Sequence, residues 1–222
     1  MTNVLLTGYG PFGNTPVNPA ESVARALDGT VIGESRIVSR IVPNVFFECI
    51  DVVSAAIKEL EPSLVIMLGE YGGRAMITVE RLAQNLNDAT RYQLADNAGA
   101  APQGQMTASE GPVAYYSPLP LRAMVKAMRA GGIPADISDA AGTFGCNHLM
   151  YGILHHITQE QLPIRAGWMH LPHLPSVAAL EQNLGAPSMS AETSTAGVKL
   201  GIQAALENLK DIDEPSVSRL QI

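Results

Sequence analysis

Apolar residues in the first part of the chain fall into short continuous runs that alternate with stretches of helical periodicity. The runs at residues 3–7, 36–42 and 63–68 have the length of buried strands, and residues 20–27 and 45–60 repeat apolar positions with helical spacing. Strands that alternate with helices in this way are typical of a mostly parallel sheet covered by helices. We therefore predict an α/β protein with a three-layer α/β/α arrangement around one twisted, mostly parallel sheet.

The rest of the chain continues this alternation after one long polar interruption. A strand or hairpin is predicted at residues 75–80, and residues 85–112 form a polar segment rich in Asn, Asp, Gly and Pro. A loop of that length inside a compact domain is typically functional or partly mobile. The later elements are helices at 119–130, 147–159 and 193–209, the last with Ser190 as N-cap, strands at 135–138 and 165–170, and a tail at 211–222 that is expected to fray.

Composition narrows the class of protein. The 222 residues are 46% hydrophobic and 16% charged, which suits one globular domain over residues 1–222. The net charge of -7 and the absence of a Lys or Arg cluster argue against nucleic acid or an anionic membrane as partner. The chain starts without a basic, apolar leader, so we predict a cytoplasmic protein. Two cysteines are too few for a disulfide framework, and Cys49 is predicted to be a buried core residue.

A glycine-rich loop follows the first predicted strand. Gly8, Gly10 and Gly13 match the G-x-G-x-x-G spacing of dinucleotide-binding proteins, so a nucleotide-binding α/β protein is one alternative. In such a site the helix opens directly on the glycines, and an acid at the end of the second strand binds the ribose. Here Pro16 and Pro19 delay the helix, and the second predicted strand ends without an acid. Nucleotide binding is therefore the less favoured interpretation; a loop that shapes a pocket and a loop whose Tyr9 and Phe12 are only core residues are the alternatives.

Cys146 lies at a turn of small residues that opens into the predicted helix at 147–159. A cysteine at a helix start has backbone donors and the helix dipole beside it, and both favour the reactive thiolate. The sequence therefore predicts Cys146 as a nucleophile, with its own backbone N–H as a donor to an oxyanion.

Five histidines compete for the role of general base. His148 follows Cys146 by two residues, and side chains two apart on a helix do not face each other. His170 ends a predicted strand before a proline-constrained turn, and the intervening helix and strand can return it to the cysteine. We therefore choose His170. A metal site made of Cys146, His170 and His173 is the weaker alternative, because a lone His-x-x-His departs from the usual zinc spacings.

Four separated segments resemble the pyroglutamyl peptidase I (pyrrolidone carboxyl peptidase) family of cysteine exopeptidases. The segment around Cys146 resembles the family's Ala-Gly-Thr-Phe-x-Cys-Asn-His motif, and residues 4–19 resemble its Thr-Gly-Phe-x-Pro-Phe-Gly and Asn-Pro signature. Residues 72–85 resemble its Gly-Gly-Arg motif and catalytic Glu, and residues 170–175 resemble its His-x-Pro-x-x-Pro segment.

The resemblance implies a reaction and a set of site residues. It implies hydrolysis of the amide bond after an N-terminal pyroglutamyl residue of peptides, with Cys146 as nucleophile, His170 as base and Glu80 as the residue that orients the histidine. It implies no cofactor or metal, and often a homotetramer. The substrate-binding residues are predicted to be Tyr9, Phe12, Asn18, Glu70, Arg91 and Phe144.

The chain also departs from the family pattern. Glu70 stands where many members have Gln, and a carboxylate cannot donate a hydrogen bond as an amide can unless it is protonated. Arg91 lies in a segment that resembles the family's Asp-Ala-Arg-x-x-Asp-Asn-x-Gly segment but has extra residues between Ala89 and Asp96. An arginine that is simply exposed to solvent is an equal alternative there. Gly145 is smaller than the Val common in the family and is expected to widen the pocket beside Phe144. A catalytically silent relative that only binds pyroglutamyl ends is a further alternative.

Overall fold

A seven-stranded sheet forms the centre of the part of the chain that the structure describes, which is residues 1–13 and 15–218 of a computed structural model. Beyond it, two short strands pair separately. The strands are β1 (Thr2–Tyr9), β2 (Val31–Ile32), β3 (Ser35–Val42), β4 (Leu64–Glu70), β5 (Ile77–Glu80), β6 (Leu82–Gln84), β7 (Ala114–Tyr116), β8 (Ala135–Ser138) and β9 (Arg165–Leu171).

The sheet has the strand order β2-β3-β1-β4-β9-β5-β8. Strands β3, β1, β4 and β9 are mutually parallel, and β8 is parallel to β5. Only the pairs β2–β3 and β5–β9 are antiparallel in the described sheet. The mostly parallel sheet predicted from the sequence is therefore confirmed.

Helices cover both faces of the sheet and bury two separate apolar cores. On one face α1, α3 and α6 pack on the sheet, and on the other face α2 and α4 do. Side chains alternate along β1 and β4, so each strand contributes to both cores, as a continuous apolar run requires. The helices are α1 (Pro19–Leu27), α2 (Glu48–Leu60), α3 (Leu121–Ala130), α4 (Gly145–Gln159), α5 (Pro175–Ala178) and α6 (Ala191–Glu207).

Every element predicted from the sequence has a counterpart, although some boundaries differ. Ser190 caps α6 through its hydroxyl, which accepts from Thr193 N, and Cys49 is buried in the core. Helix α2 begins at Glu48 instead of residue 45, because Phe47 has a φ of 67° that no α-helix contains. Strands β2, β6 and β7 and the single turn of α5 were not predicted, since runs of two to four residues carry little periodicity.

The polar segment at 85–112 is tied to the rest of the protein by its own amide and carboxylate side chains. The Asn85 carboxamide oxygen accepts from Thr107 N and Ala108 N, and Asn147 Nδ2 donates to the Leu86 carbonyl. The Asp96 carboxylate accepts from Phe46 N, which lies just before α2. These contacts hold the segment over the carboxyl end of the sheet.

Residues 211–218 of the C-terminal tail form no helix or strand but contact α3, so the expected fraying stays a prediction, and residues 219–222 lie outside the described residues. The Asp211 carboxylate accepts from Arg122 N and Ala123 N and from Arg122 Nε, so it caps the start of α3 from a distance. No helix among the described residues combines the length and the apolar character needed to cross a membrane.

Removing this cap should weaken the fold without touching chemistry. For Asp211→Ala we expect a loss of about 1–2 kcal/mol in the free energy of unfolding, the cost of losing a helix N-cap together with a part-buried ion pair. Asp213→Ala is the matched control, because Asp213 is exposed. Chemical denaturation of both variants checks the prediction, and equal midpoints would contradict it.

Candidate active site

A cavity of about 330 Å³ opens at the carboxyl ends of β1, β4 and β9. It contains two of the three predicted catalytic residues, Cys146 and His170, and five of the six predicted substrate-binding residues, namely Tyr9, Phe12, Asn18, Glu70 and Phe144. A larger groove of about 740 Å³ lies between the C-terminal ends of α2 and α4, away from these residues. The predicted chemistry is therefore gathered in one smaller cavity.

Cys146 stands in the first turn of α4, where backbone N–H groups have no partner within the helix. Its half-buried Sγ lies against β4, so closely that a Cβ at Gly69 would be 2.9 Å away. Burial raises the pKa of the thiol well above its ordinary range, and the carboxylates of Glu80 and Glu70 raise it further, whereas the backbone N–H of Cys146 lowers it. The backbone N–H at the helix start therefore favours the thiolate, as the sequence argument expects, and burial opposes it more strongly.

His170 and Glu80 form a fully buried pair. His170 Nδ1 is 2.7 Å from Glu80 Oε1, which leaves Nε2 as the free ring nitrogen. The two residues meet across antiparallel strands: Thr78 is opposite His170, and Glu80 is two residues farther along the same face of β5. The sequence predicted a strand or hairpin ending at Glu80 without giving its direction, and β5 runs antiparallel to β9.

Arg74 provides the positive charge beside this pair. Its guanidinium Nη1 donates to Glu80 Oε1 at 2.9 Å and to Thr78 Oγ1 at 2.5 Å, and its Cζ lies 3.8 Å from the centre of the Tyr71 ring. The Tyr71 ring in turn makes an edge contact with His170. Burial raises the pKa of Glu80, but His170, Ser138 and Arg74 outweigh it and hold that pKa below its ordinary value. Sequence reasoning missed the contacts of Arg74.

Cys146 and His170 both lie next to Gly69 of β4. Gly69 is paired in register with His170 in β9, and its missing side chain leaves room for Cys146 Sγ. Among the described residues no hydrogen bond joins Sγ to the imidazole. Catalytic hydrogen bonds are commonly long in unliganded enzymes and shorten when substrate binds.

Aromatic rings form the wall of the cavity nearest the cysteine. Phe12 packs on Phe144 with ring centroids 5.2 Å apart, and Phe46, which sequence reasoning missed, contacts the other side of Phe144 at 5.6 Å. The buried Tyr9 hydroxyl donates to the Gly145 carbonyl at 2.8 Å, which ties β1 to the start of α4. These rings create an apolar cleft that suits a flat, uncharged group.

Asn18 lines the cavity, but its amide is engaged in the fold. Its Oδ1 accepts from Ala20 N as the N-cap of α1, and its Nδ2 donates to the Gly10 carbonyl. Asn18 therefore shapes the glycine-rich loop. At the N-terminus of α1, Pro19 has no N–H and the Ala20 N–H is already bound by Asn18, which disfavours a nucleotide phosphate there. Strand β1 also packs so closely on α1 that a Cβ at Gly8 would be 2.3 Å from the Ala20 carbonyl oxygen.

Glu70 has a partner that the sequence did not predict. Its Oε1 lies 2.7 Å from His173 Nδ1, and both side chains are largely buried. Burial raises the pKa of Glu70 above its ordinary value, and His173 offsets this only in part. With His170 and His173 each bound to a carboxylate, no cluster of three or more metal-ligating side chains forms in the part of the chain described by the structure.

Two further residues that the sequence analysis considered, Arg91 and His148, do not line the cavity. Arg91 is exposed and does not line the cavity; its guanidinium lies 5.1 Å from the ring of Tyr92, which does line it. His148 is buried, accepts from Phe47 N through Nε2 and contacts Thr107 Oγ1 through Nδ1. Burial lowers the pKa of His148 to about 4, so it is a neutral support for the unusual backbone of Phe47.

Comparison with known proteins assigns this arrangement to a family. A family model described as pyroglutamyl peptidase matches residues 2–208. A pyrrolidone-carboxylate peptidase of Mycobacterium bovis is 63% identical over 222 residues, which is 100% of both chains, and one of Cupriavidus necator is 44% identical, covering 96% of this chain and 97% of the relative.

Solved structures agree with the sequence match. Pyroglutamyl peptidase I from Bacillus amyloliquefaciens superposes with a TM-score of 0.91 at 40% identity, over 96% of this chain and 99% of that one. Pyrrolidone carboxyl peptidase from Thermococcus litoralis superposes with a TM-score of 0.91 at 35% identity, over 97% of this chain and 100% of that one. Because the family match spans residues 2–208 and these relatives are covered almost completely, the chain belongs to the pyroglutamyl peptidase family.

Proposed function

We propose that this protein hydrolyses the amide bond that follows an N-terminal pyroglutamyl residue, by nucleophilic catalysis through Cys146. The observation that carries the proposal is the placement of Cys146 and the Glu80-bound His170 in the wall of one aromatic-lined cavity. The names of the relatives describe the same activity. Family membership supports the reaction type, and the side-chain geometry supports the residue roles.

The first step transfers a proton and forms a thioester. The Glu80 carboxylate accepts Nδ1–H of His170, so Nε2 carries the lone pair and can take the Cys146 proton. Because burial raises the pKa of Cys146, the thiol keeps its proton until His170 accepts it as the sulfur attacks. The backbone N–H of Cys146 can donate to the oxyanion. The C–N bond then breaks, and the imidazolium returns its proton to the leaving amine.

The second step releases the acyl group. His170 removes a proton from water, the hydroxide attacks the thioester carbonyl, and the S–C bond breaks to give pyroglutamate and the Cys146 thiol. Each proton taken by His170 is returned within its half-reaction. The described residues supply the nucleophile, base and orienting carboxylate that this sequence of steps needs.

The cavity favours an uncharged cyclic group over an ordinary N-terminus. Its rings of Phe12 and Phe144 can pack on a lactam, whereas a free ammonium would lose its hydration. Glu70 is the acidic residue among the described residues that line the cavity, and its carboxylate is already bound to His173. We therefore propose selectivity for pyroglutamyl over prolyl and glutamyl ends.

Release of a chromogenic amine from pyroglutamyl, prolyl and glutamyl amides tests this function. We expect kcat/KM for the pyroglutamyl amide to exceed the other two by about 10⁴-fold, because a buried site that pairs with lactam groups rejects analogues that lack them. Binding of the pyroglutamyl amide without turnover by the reduced protein would favour the silent relative, and similar turnover of all three amides would refute the proposed specificity.

The remaining sequence-based expectations stay predictions. Cytoplasmic residence is a default prediction from the sequence that fits the two cysteines, both free among the described residues, and the homotetramer rests on the family resemblance. The single-domain organisation over residues 1–222 and the lack of a cofactor rest on the same sequence arguments.

A further inference from the structure

Asn44 has a buried side-chain amide that no described residue binds. It lies between β3 and α2, is only 5% exposed and lines the cavity together with Cys146. Its backbone carbonyl accepts from Asn97 N, which fixes the loop, but the side chain makes no hydrogen bond with the described residues. Its amide atoms are not among the fully buried unpaired atoms of the described residues, so the amide keeps some accessible surface although the residue as a whole is buried. An unpaired amide that faces a cavity is suited to bind a ligand.

Gly145 is the residue that admits this amide. A Cβ at position 145 would lie 2.4 Å from Asn44 Oδ1, a distance that no real Cβ contact shows. The expectation that Gly145 widens the pocket is therefore wrong, because Asn44 fills the space that a side chain at 145 would take. The Asn44 side chain therefore packs against Gly145, and Gly145 directly precedes the nucleophile Cys146 in the sequence.

The other polar side chains of the cavity are poorly suited to bind the ring carbonyl of a lactam. The Asn18 amide and the Tyr9 hydroxyl already donate to backbone carbonyls, and an ionised Glu70 can only accept. The hydroxyl-bearing residues Tyr71 and Tyr92 are each 40% exposed, at the mouth of the cavity. The buried Thr143 hydroxyl donates to the Asp88 carbonyl. Among the described residues that line the cavity, Asn44 is thus a buried neutral donor with no hydrogen-bond partner.

We propose that Asn44 is a specificity-determining residue whose Nδ2–H donates to the ring carbonyl of the pyroglutamyl group, while Gly145 provides the space that its Oδ1 occupies. The inference rests on the proposed function and adds a named contact to it. It also separates two parts of recognition, since the aromatic rings bind the ring face and Asn44 binds the carbonyl that distinguishes pyroglutamate from proline.

Replacement of Asn44 should impair binding more than chemistry. For Asn44→Leu we expect KM for a pyroglutamyl anilide to rise about tenfold or more with kcat changed less than about threefold, because a lost buried hydrogen bond to a bound ligand removes binding shared by ground and transition states. Cyclopentanecarbonyl anilide has no ring carbonyl, so wild type and Asn44→Leu should treat it alike. An unchanged KM, or equal losses on both anilides, would overturn the proposal.

A double-mutant cycle tests the pairing with Gly145. Gly145→Ala displaces the Asn44 amide and should reproduce the increase in KM, whereas Asn44→Ala/Gly145→Ala should be no worse than Asn44→Ala alone. Additive losses in the double variant would contradict the pairing. Asn44→Ala also replaces Asn44→Leu if the larger side chain prevents folding, as judged by thermal melting.

A binding experiment separates this inference from the proposed reaction. Calorimetric titration of L-pyroglutamamide into Cys146→Ala and into Asn44→Leu/Cys146→Ala needs no turnover. We expect about tenfold weaker binding in the second variant. If wild type fails to hydrolyse the anilide but this difference is found, the catalytic proposal fails and the role of Asn44 stands; equal affinities refute the role of Asn44 whatever the activity.

Discussion

Cys146→Ala should reduce kcat/KM for a pyroglutamyl amide by at least about 10⁴-fold, because removal of a catalytic nucleophile leaves only binding and oxyanion stabilisation. The substrate cavity should survive, since Cys146 contributes only one half-buried sulfur to a wall that is mainly aromatic. We therefore expect the variant to bind L-pyroglutamamide with an affinity close to that of wild type. Amine release and calorimetry together measure the two quantities.

Cys49→Ala is the matched control for this experiment. Cys49 is the second cysteine of the chain, is buried in α2 beneath the sheet, and lines no part of the cavity. Burial raises the pKa of its thiol to about 12, so it is unreactive at neutral pH. We expect its kcat/KM to stay within about threefold of wild type, as for a core substitution of small volume. Full activity of Cys146→Ala, or equal loss in both variants, would refute the assignment of the nucleophile.

Sequence periodicity was sufficient to predict most of the strands and helices. Strands β1, β4 and β9 are buried on both faces, so each has a continuous apolar run that is visible without the structure. It was insufficient for β6 and β7, whose three residues each pair only with one another. It also gave no information on direction, and the antiparallel course of β5 depends on tertiary packing of a four-residue strand.

Many residues of the candidate site were predicted from the sequence, but several of the contacts between their side chains were not. Cys146, His170 and Glu80 were selected from motifs, whereas the contacts from Arg74 to Glu80, six residues apart, and from His173 to Glu70, 103 residues apart, were not predicted. A sequence shows the residue types but not which carboxylate faces which cation. The only available signals were Gly-Gly-Arg before Glu80 and the His-x-x-His spacing, and neither indicates a contact.

Arg74→Met should be among the most destabilising substitutions in the protein. Its guanidinium Nη1 lies 2.9 Å from Oε1 of the fully buried Glu80 carboxylate, which also binds His170. Removal of one partner from a buried ion pair leaves an uncompensated charge, and we expect a loss of about 3–5 kcal/mol in the free energy of unfolding at pH 7. Denaturant titration measures the loss, and amine release should fall with it because Glu80 loses a contact that orients it.

The pH dependence of this loss has a definite sign. In wild type the pKa of Glu80 is held below its ordinary value of 4.5, so the group adds stability above that pH and the contribution is lost as the pH falls through the folded-state pKa. In Arg74→Met the charge of the guanidinium no longer lowers the pKa of Glu80, so that pKa rises and the carboxyl group takes up a proton more readily. The difference in stability between wild type and Arg74→Met should therefore be largest near neutrality and shrink in acid.

Adding Glu80→Gln to Arg74→Met distinguishes the charge effect from lost packing on Tyr71. The double variant has no carboxylate at position 80, so most of the lost stability should return. The part of the pH dependence that comes from protonation of Glu80 should disappear. Activity should stay low, because a glutamine cannot accept Nδ1–H of His170 with the charge that favours the imidazolium. If stability does not recover, Arg74 acts through its contact with the Tyr71 ring; if stability recovers together with activity, the orienting role of Glu80 is wrong.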